Sequence, residues 1–181
     1  MRNITILAGV VALAVWLGGC AGGGEPPSQP SFYRSMAEPG AQLDAAAAAS
    51  MISGYRGNNG LGTVTLDPTL MKLASEQSHA MARRNLFDHS AAGEFSKRLA
   101  RAGLDAAVAV ENIGAGYHTL AEAFSGWRDS PPHRANMLKR DVTRMGIAAV
   151  YAPQSKYKVF WTLILAGPGE VAQLRGSASA N

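Results

Sequence analysis

Residues 157–165, with the sequence Y-K-V-F-W-T-L-I-L, constrain the fold more than any other part of the chain. As a β-strand, this segment would carry large apolar side chains on both faces. One face would hold Tyr157, Val159, Trp161 and Leu163, and the other Phe160 and Ile164. Such a strand belongs in the middle of a sheet that is covered on both sides. The β-rich residues 145–151, joined to it by A-P-Q-S-K, predict the partner strand of an antiparallel hairpin.

Two helices before this hairpin are predicted from their N-terminal signals. Asp67 followed by Pro68 supplies an N-cap and a favourable first helical residue, and apolar residues at helical spacing then continue to about Asn85. Thr119 and Glu122 match a capping box, which predicts a second helix that continues through the next tryptophan. Both helices are therefore marked by local chemistry as well as by apolar periodicity.

Other segments complete the predicted order of elements. Residues 44–56 are rich in alanine and predict the first helix, and residues 94–102 predict a short one before a glycine. Residues 61–66 are expected to form an extended connector, and residues 133–138 a short turn. Helices first and an antiparallel hairpin last indicate an α+β fold, in which helices surround a small antiparallel sheet.

The first twenty residues have the composition of a processing signal. Arg2 precedes an apolar run over residues 4–17, which is too short to span a membrane comfortably and ends at L-G-G-C. This ending resembles a bacterial lipobox, and its Cys20 is the only cysteine in the chain. The resemblance implies that residues 1–19 are removed and that Cys20 carries a covalent lipid such as palmitate. The alternative is an ordinary secretory signal that contains a cysteine by chance.

Composition divides the rest of the chain. Residues 20–42 are rich in Gly, Pro and Ser and predict a flexible lipidated tether. Residues 43–167 form the expected domain, and residues 168–181 a disordered tail. Without a second cysteine the exported domain cannot form an internal disulfide, so its core must stabilise it unaided. We expect an anchored protein of the bacterial cell envelope, in the outer membrane facing the periplasm if the organism has two membranes.

The net charge of +4 comes from basic residues that are scattered along the chain. Pairs such as Arg83-Arg84 and Lys139-Arg140 are typical of solvated faces. A nucleic-acid-binding surface would need clustered basic residues, so we expect no nucleic-acid partner. The size of the domain is compatible with a monomer.

Residues 110–138 contain the polar side chains that could form a site. Glu111 and Asn112 lie between apolar runs, where a carboxylate is costly unless it is paired or hydrogen-bonded. His133 follows a Ser-Pro-Pro corner that begins at Ser130, and His89 lies upstream in another segment rich in turn-forming residues. Two neutral imidazoles, a carboxylate and water could bind zinc or support proton transfer.

Other interpretations of these residues remain open. Glu111 and Asn112 could instead belong to a hydrogen-bonded network that holds helices to the sheet. Ser130 is better explained as a helix-ending residue before proline than as a nucleophile, because nothing around it resembles a nucleophile elbow. His79 falls inside the helix that begins after Asp67 and is expected to be hydrogen-bonded or to face solvent. His118 precedes a helix cap and is expected to be exposed.

The order of these motifs resembles the CAP superfamily. It comprises cysteine-rich secretory proteins, antigen 5, plant pathogenesis-related proteins and their bacterial relatives. The matching motifs are H-S at 89, E-N at 111, W-x-x-S-P-x-H-R-x-N from 127 and M-G-I at 145, and the similarity spans residues 43–167. The resemblance implies a three-layer α-β-α sandwich with a cleft of two histidines and two acids, which holds a divalent metal in several members.

Residue by residue, the resemblance implies that His89 and His133 are the cleft histidines and metal ligands, and that Glu111 is the first acid. The second acid of eukaryotic members falls on Ser130 here, and Asp129 is adjacent but points elsewhere on a helix. Ser130 and Asn112 therefore complete the expected cleft without a second carboxylate. The eukaryotic disulfides are absent too, as in the bacterial branch.

Two classes of function follow from this set of residues. The first is a non-enzymatic envelope module that binds Zn²⁺ or another divalent metal, together with a lipid, polysaccharide or protein ligand. The second is a metal-assisted hydrolase, a peptidase in which Glu111, His89 and His133 would be catalytic. The missing second acid and the absence of an evident nucleophile favour the binding module.

Overall fold

The computed structural model describes residues 29–104 and 108–168, and these form a sheet enclosed by helices. The strands are β1 (Thr65–Leu66), β2 (Ala109–Ala115), β3 (Arg144–Ala152) and β4 (Lys158–Ala166), in the spatial order β1-β3-β4-β2. Strand β4 pairs antiparallel with β2 on one side and with β3 on the other. The predicted hairpin and the central position of its last strand are confirmed.

The helices are α1 (Ala45–Gly57), α2 (Pro68–Arg84), α3 (Phe95–Arg101), α4 (Leu120–Asp129) and α5 (Pro131–Met137). The first turns of α2 and α4 are stabilised as the sequence predicts. The Asp67 carboxylate accepts the Leu70 N–H at 2.9 Å, and Thr119 and Glu122 form both hydrogen bonds of a capping box. A left-handed Asn85 ends α2 and lets the chain leave in a new direction.

Two separate cores cover the sheet. Helices α1, α4 and α5 pack on the face that presents Val159, Trp161, Leu163 and Leu165. Helices α2 and α3 cover the opposite face, which presents Phe160 and Ile164. All residues of β4 after Lys158 are buried. The α+β class and the three-layer α-β-α arrangement are therefore confirmed.

Several details differ from the predictions. The sheet is mixed, because β1 pairs parallel with β3 within the segment that was expected to be only a connector. Residues 133–138 are not an isolated turn, since α5 begins at the prolines and includes His133. Tyr157 precedes β4 and packs on Phe160 at 5.6 Å between ring centroids, so it belongs to the opposite face from the one predicted.

Part of the segment predicted to be a tether is packed against the domain. A short 3-10 helix covers Ser31–Tyr33, Met36 is buried, and the Met36 N–H donates to the His118 carbonyl at 2.6 Å. The signal sequence, Cys20 and the tail after residue 168 lie outside the described residues. Within the described ranges, no helix combines the length and apolar character needed to cross a membrane.

Helix α2 lies directly on the sheet at Gly146 of β3. A β-carbon at this position would overlap the backbone of Leu70 and Met71 in the first turn of α2. The absence of a side chain therefore fixes how closely the helix approaches the sheet. Gly146 is also the central residue of the M-G-I motif, which gives that motif a packing role.

Candidate functional site

His89 lies in the loop between α2 and α3, and buried Gln77 of α2 holds that loop in place. The Gln77 amide donates to the Asp88 carbonyl at 2.8 Å, and its oxygen accepts the Ala92 N–H at 3.0 Å. The Asp88 carboxylate accepts both the backbone N–H and the hydroxyl of Ser90 at 2.6 Å. The backbone on both sides of His89 is thus fixed, although its side chain is 55% exposed.

Glu111 of β2 is the centre of a buried ionic cluster. Its Oε1 accepts from His89 Nδ1 at 2.9 Å, and its Oε2 accepts from an Arg98 Nη2–H at 2.6 Å. The side chains of Glu111 and Arg98 are both only 2% exposed. Burial of a carboxylate is costly unless its charge is compensated, and Arg98 supplies that compensation.

This cluster determines the chemical state of His89. The hydrogen bond to Glu111 raises the pKa of His89, burial opposes that shift, and the negative charges of Glu111 and Asp88 reinforce it. An ionised carboxylate can only accept hydrogen bonds, so Nδ1 of His89 carries the proton. When His89 is neutral, its Nε2 is therefore the nitrogen with a free lone pair.

His133, on the first turn of α5, has a different environment. Its Nδ1 lies 2.8 Å from the Ser130 hydroxyl, and no acidic side chain of the described residues bonds to the ring. Burial lowers the pKa of His133, and the positive charge on His89 adds to the effect. The neutral form of the ring is therefore favoured relative to that of a free histidine, and Nε2 is its remaining nitrogen.

Two carboxamides join the two histidine segments. The Asn112 Nδ2–H donates to the His133 carbonyl at 3.0 Å. The Asn136 Nδ2–H donates to the Asn112 side-chain oxygen at 2.9 Å and to the Glu111 carbonyl at 3.2 Å. Helix α5 is thereby fixed to β2 beside the ionic cluster. These contacts match the interpretation in which Glu111 and Asn112 hold helices to the sheet.

The other predicted residues fall into two groups. Ser130 contacts His133, whereas the exposed Asp129 pairs with Arg128 at 2.8 Å and does not replace the missing acid. Ser130 also ends α4 as predicted and is the N-cap residue of α5. His79 and His118 are exposed, as predicted.

Arg98 and Gln77 were not predicted from the sequence as members of the site. The cost of burying Glu111 required a nearby cation, but the sequence offered several basic residues and no means to choose among them. Within residues 29–104 and 108–168, no group of three His, Cys, Asp or Glu side chains is arranged to hold a metal ion. Of the described residues, His89 and His133 would thus be the two strong ligands for a metal that binds there, with water in the remaining positions.

Relatives of the chain share its sequence and fold. The uncharacterized Bacillus subtilis protein YkwD is 33% identical over 97 residues, which are 52% of this chain and 38% of YkwD. An extracellular SCP-domain protein of Bacillus anthracis is 25% identical with a TM-score of 0.59, over 68% of this chain and 40% of that one. This chain therefore spans well under half the length of both relatives.

A further solved structure supports the fold alone. An outer surface protein of Borrelia burgdorferi superimposes with a TM-score of 0.62 at 18% identity, covering 68% of this chain and 92% of that one. The sequence model of the cysteine-rich secretory protein family, CAP, matches residues 49–165, which include β1 to β3 and most of β4. The chain belongs to this family, and is a CAP-domain protein of the bacterial type.

Proposed function

We propose that this protein is a non-enzymatic module of the bacterial cell envelope that binds a divalent metal through His89 and His133. One observation supports this best: both carboxylate oxygens of Glu111 are already engaged, by His89 and by Arg98. A carboxylate held in this way orients an imidazole, as carboxylates commonly do behind metal-ligating histidines. It is poorly suited to serve as the general base of a hydrolase, because both of its oxygens already accept hydrogen bonds from protein groups.

The donor set fits a metal such as Zn²⁺ in part. Each histidine has its Nδ1 engaged and its Nε2 left for a ligand, and the Ser130 hydroxyl can accept a hydrogen bond from His133 Nδ1–H. Two imidazoles are fewer protein ligands than a tight zinc site uses, so we expect weak binding. A bound metal would supply a Lewis-acidic position to which a lipid, polysaccharide or protein ligand could coordinate.

Calorimetry with ZnCl₂ on the full chain tests this function. We expect a single weak site, with an affinity at least ~10-fold lower in the His89→Ala/His133→Ala variant. The matched control is His79→Ala/His118→Ala, which removes two exposed histidines outside the cluster and should bind zinc as the wild type does. Equal loss in both variants, or in neither, would exclude His89 and His133 as the metal ligands.

The pH dependence of this binding adds a second criterion. Protons compete with metal for Nε2, and the raised pKa of His89 makes that competition begin at a higher pH than for a free histidine. Zinc affinity should therefore fall as the pH decreases, starting above about 6.5. An affinity independent of pH between 6 and 8 would contradict ligation by His89.

The location is proposed from the N-terminal sequence and from the relatives. The similar structures include a protein described as extracellular and one described as an outer surface protein. We propose that Cys20 carries the lipid anchor. In a bacterial host, the wild-type chain should partition into Triton and yield a mature N-terminus at Cys20 with the mass of attached acyl chains. The Cys20→Ser chain should lack that modification by mass spectrometry, and identical masses apart from the substitution would refute lipidation.

A further inference from the structure

A cavity of about 730 Å³ lies between α2 and α3, and the residues that line it include neither His89 nor His133. Its charged lining residues are Lys72, Arg98, Arg101 and Glu76. Among the described residues, neither Lys72 nor Arg101 forms an ion pair with an acidic side chain. Glu76 is the only carboxylate that the described residues contribute to the lining, so the cavity has an excess of positive charge.

The cavity also includes the start of a long helix. Pro68 and Thr69, the first residues of the 17-residue α2, line it, and the first turn contains no acidic side chain. In an α-helix the first N–H groups have no acceptor within the helix, and the Thr69 N–H is one of these groups. The Asp67 carboxylate is already bonded to the Leu70 N–H and to Arg144 at 3.1 Å. Helix termini of this kind attract anions.

Arg98 provides an independent indication that an anion belongs there. This residue is only 3% exposed and lines the cavity, yet its Nη1 has no hydrogen-bond partner among the described residues. Its Nε donates to the Gly93 carbonyl at 3.0 Å, and its Nη2 contacts Glu111. A buried guanidinium nitrogen without a partner is costly, and an acceptor oxygen would relieve that cost.

We propose that this cavity binds the phosphate group of a small organic molecule, with Lys72, Arg101 and the first turn of α2 surrounding the oxyanion and Arg98 behind it. The volume exceeds that of a phosphate ion, and Leu73 and Ala102 provide an apolar wall for the organic part. Phosphate is favoured over carboxylate because the cavity is lined by several donors, and a phosphate group offers more acceptor oxygens to them than a carboxylate does.

The proposed site is connected to the histidine cluster through one side chain. Arg98 both lines the cavity and compensates Glu111, which in turn bonds to His89. A bound anion would share the charge of Arg98 with Glu111. Binding in the cavity should therefore change the environment of the His89 ring even though no ligand atom contacts that ring.

Calorimetry and NMR with glycerol 3-phosphate test the proposal on the full chain, with glycerol as the uncharged control. We expect saturable binding with a Kd on the order of 1 mM or below, and a shift of the His89 ring signals that glycerol does not cause. Glycerophosphoglycerol, the headgroup of an anionic phospholipid, distinguishes the sources. Tighter binding of the monoester indicates a soluble phosphate, and tighter binding of the diester indicates a lipid headgroup.

Two variants decide whether the cavity is responsible. Lys72→Gln/Arg101→Gln should weaken binding by at least ~10-fold, whereas Lys139→Gln/Arg140→Gln, with the same change of charge at an exposed pair elsewhere, should not. Thr69→Glu should prevent binding while leaving the melting temperature unchanged or slightly higher, since an acidic residue suits the start of a helix. Equal affinities in the two double variants, or a Thr69→Glu chain that binds normally, would overturn the proposal.

Discussion

His89 and His133 carry the same imidazole group in two different environments. His89 is more than half exposed but is bonded to a carboxylate, and its pKa is raised. His133 is more buried, faces a hydroxyl, and its pKa is lowered. The hydrogen bond to the carboxylate thus outweighs burial at His89, whereas burial decides the direction of the pKa shift at His133. The charged half of the site consists of His89, Glu111 and Arg98. The neutral half consists of His133, Ser130 and Asn112, which are joined by hydrogen bonds between uncharged groups.

The largest loss of stability is expected when the charged half is broken. In Glu111→Gln the buried Arg98 loses its counter-ion, so the free energy of unfolding should fall by about 3 kcal/mol. For a domain of roughly 140 residues this corresponds to a melting temperature lower by about 10 °C, which calorimetry would measure. We also expect no peptidase activity in either form.

Glu94→Gln is the matched control for that experiment. Glu94 pairs with Lys97 at 2.9 Å, but both side chains are more than 60% exposed, so the same substitution should cost less than about 1 kcal/mol. Comparable losses at the two positions would show that Glu111 does not carry a buried charge pair. A stable Glu111→Gln chain that loses a measurable, metal-dependent hydrolytic activity would support a hydrolase instead.

Breaking the neutral half should have a smaller effect. Asn112→Ala removes the partner of the His133 carbonyl and of the Asn136 amide, so about 2 kcal/mol of unfolding free energy should be lost. Chemical denaturation would measure it. Asn59→Ala, which removes an exposed hydrogen bond to the Tyr55 carbonyl, is the control and should change the free energy by less than half as much. A larger loss for Asn112→Ala than for Glu111→Gln would reverse the order of the two halves.

The smallest expected effect is the pH dependence of stability, which depends directly on the two histidines. The folded chain protonates His89 above pH 6.5, where the unfolded chain does not, so this group adds stability that is complete below about pH 6.5 and is lost as the pH rises through its folded pKa. His133 stays neutral below pH 6.5, where the unfolded chain is protonated. Its effect is therefore a loss of stability as the pH falls below about 6.5.

Denaturation curves between pH 5 and 8 in a chelator would separate the two contributions. His89→Gln should remove stability that the wild type gains between pH 8 and about 6.5, and His133→Gln should remove the loss below about 6.5. Each variant serves as a control for the other. His133→Gln should leave the limb above pH 6.5 in place, and His89→Gln should keep most of the limb below it, since burial is the larger cause of the His133 shift. Parallel curves for the wild type and both variants would mean that neither ring has a shifted pKa.

Local signals allowed much of the fold to be predicted. The helices that begin after Asp67 and Thr119 do so because a side chain satisfies their first N–H groups, and that chemistry is visible in a few neighbouring residues. Large apolar side chains on both faces of β4 predicted that this strand lies in the centre of the sheet. The parallel pairing of β1 could not be predicted, since its two residues acquire their structure only from Arg144 and Met145 of β3.

The site was predictable only in part for a similar reason. His89, Glu111 and His133 stand in recognisable motifs, and the structure joins His89 to Glu111 directly. Arg98 stands among Lys97 and Arg101 in one short helix, and only the packing of α3 determines which of the three is buried. The contact between Ser130 and His133 likewise could not be predicted, because it depends on α5 starting at the prolines, which brings the Ser130 hydroxyl to His133.

The close contact between Gly146 and α2 sets the distance between that helix and the sheet. The helix rests on the sheet at its first turn, and its 17 residues extend roughly 25 Å from there to the loop that carries His89. The cavity between α2 and α3 lies along the same helix. A side chain at position 146 would overlap the helix backbone and push α2 away from the sheet. Both sites would then be disturbed by a residue that belongs to neither.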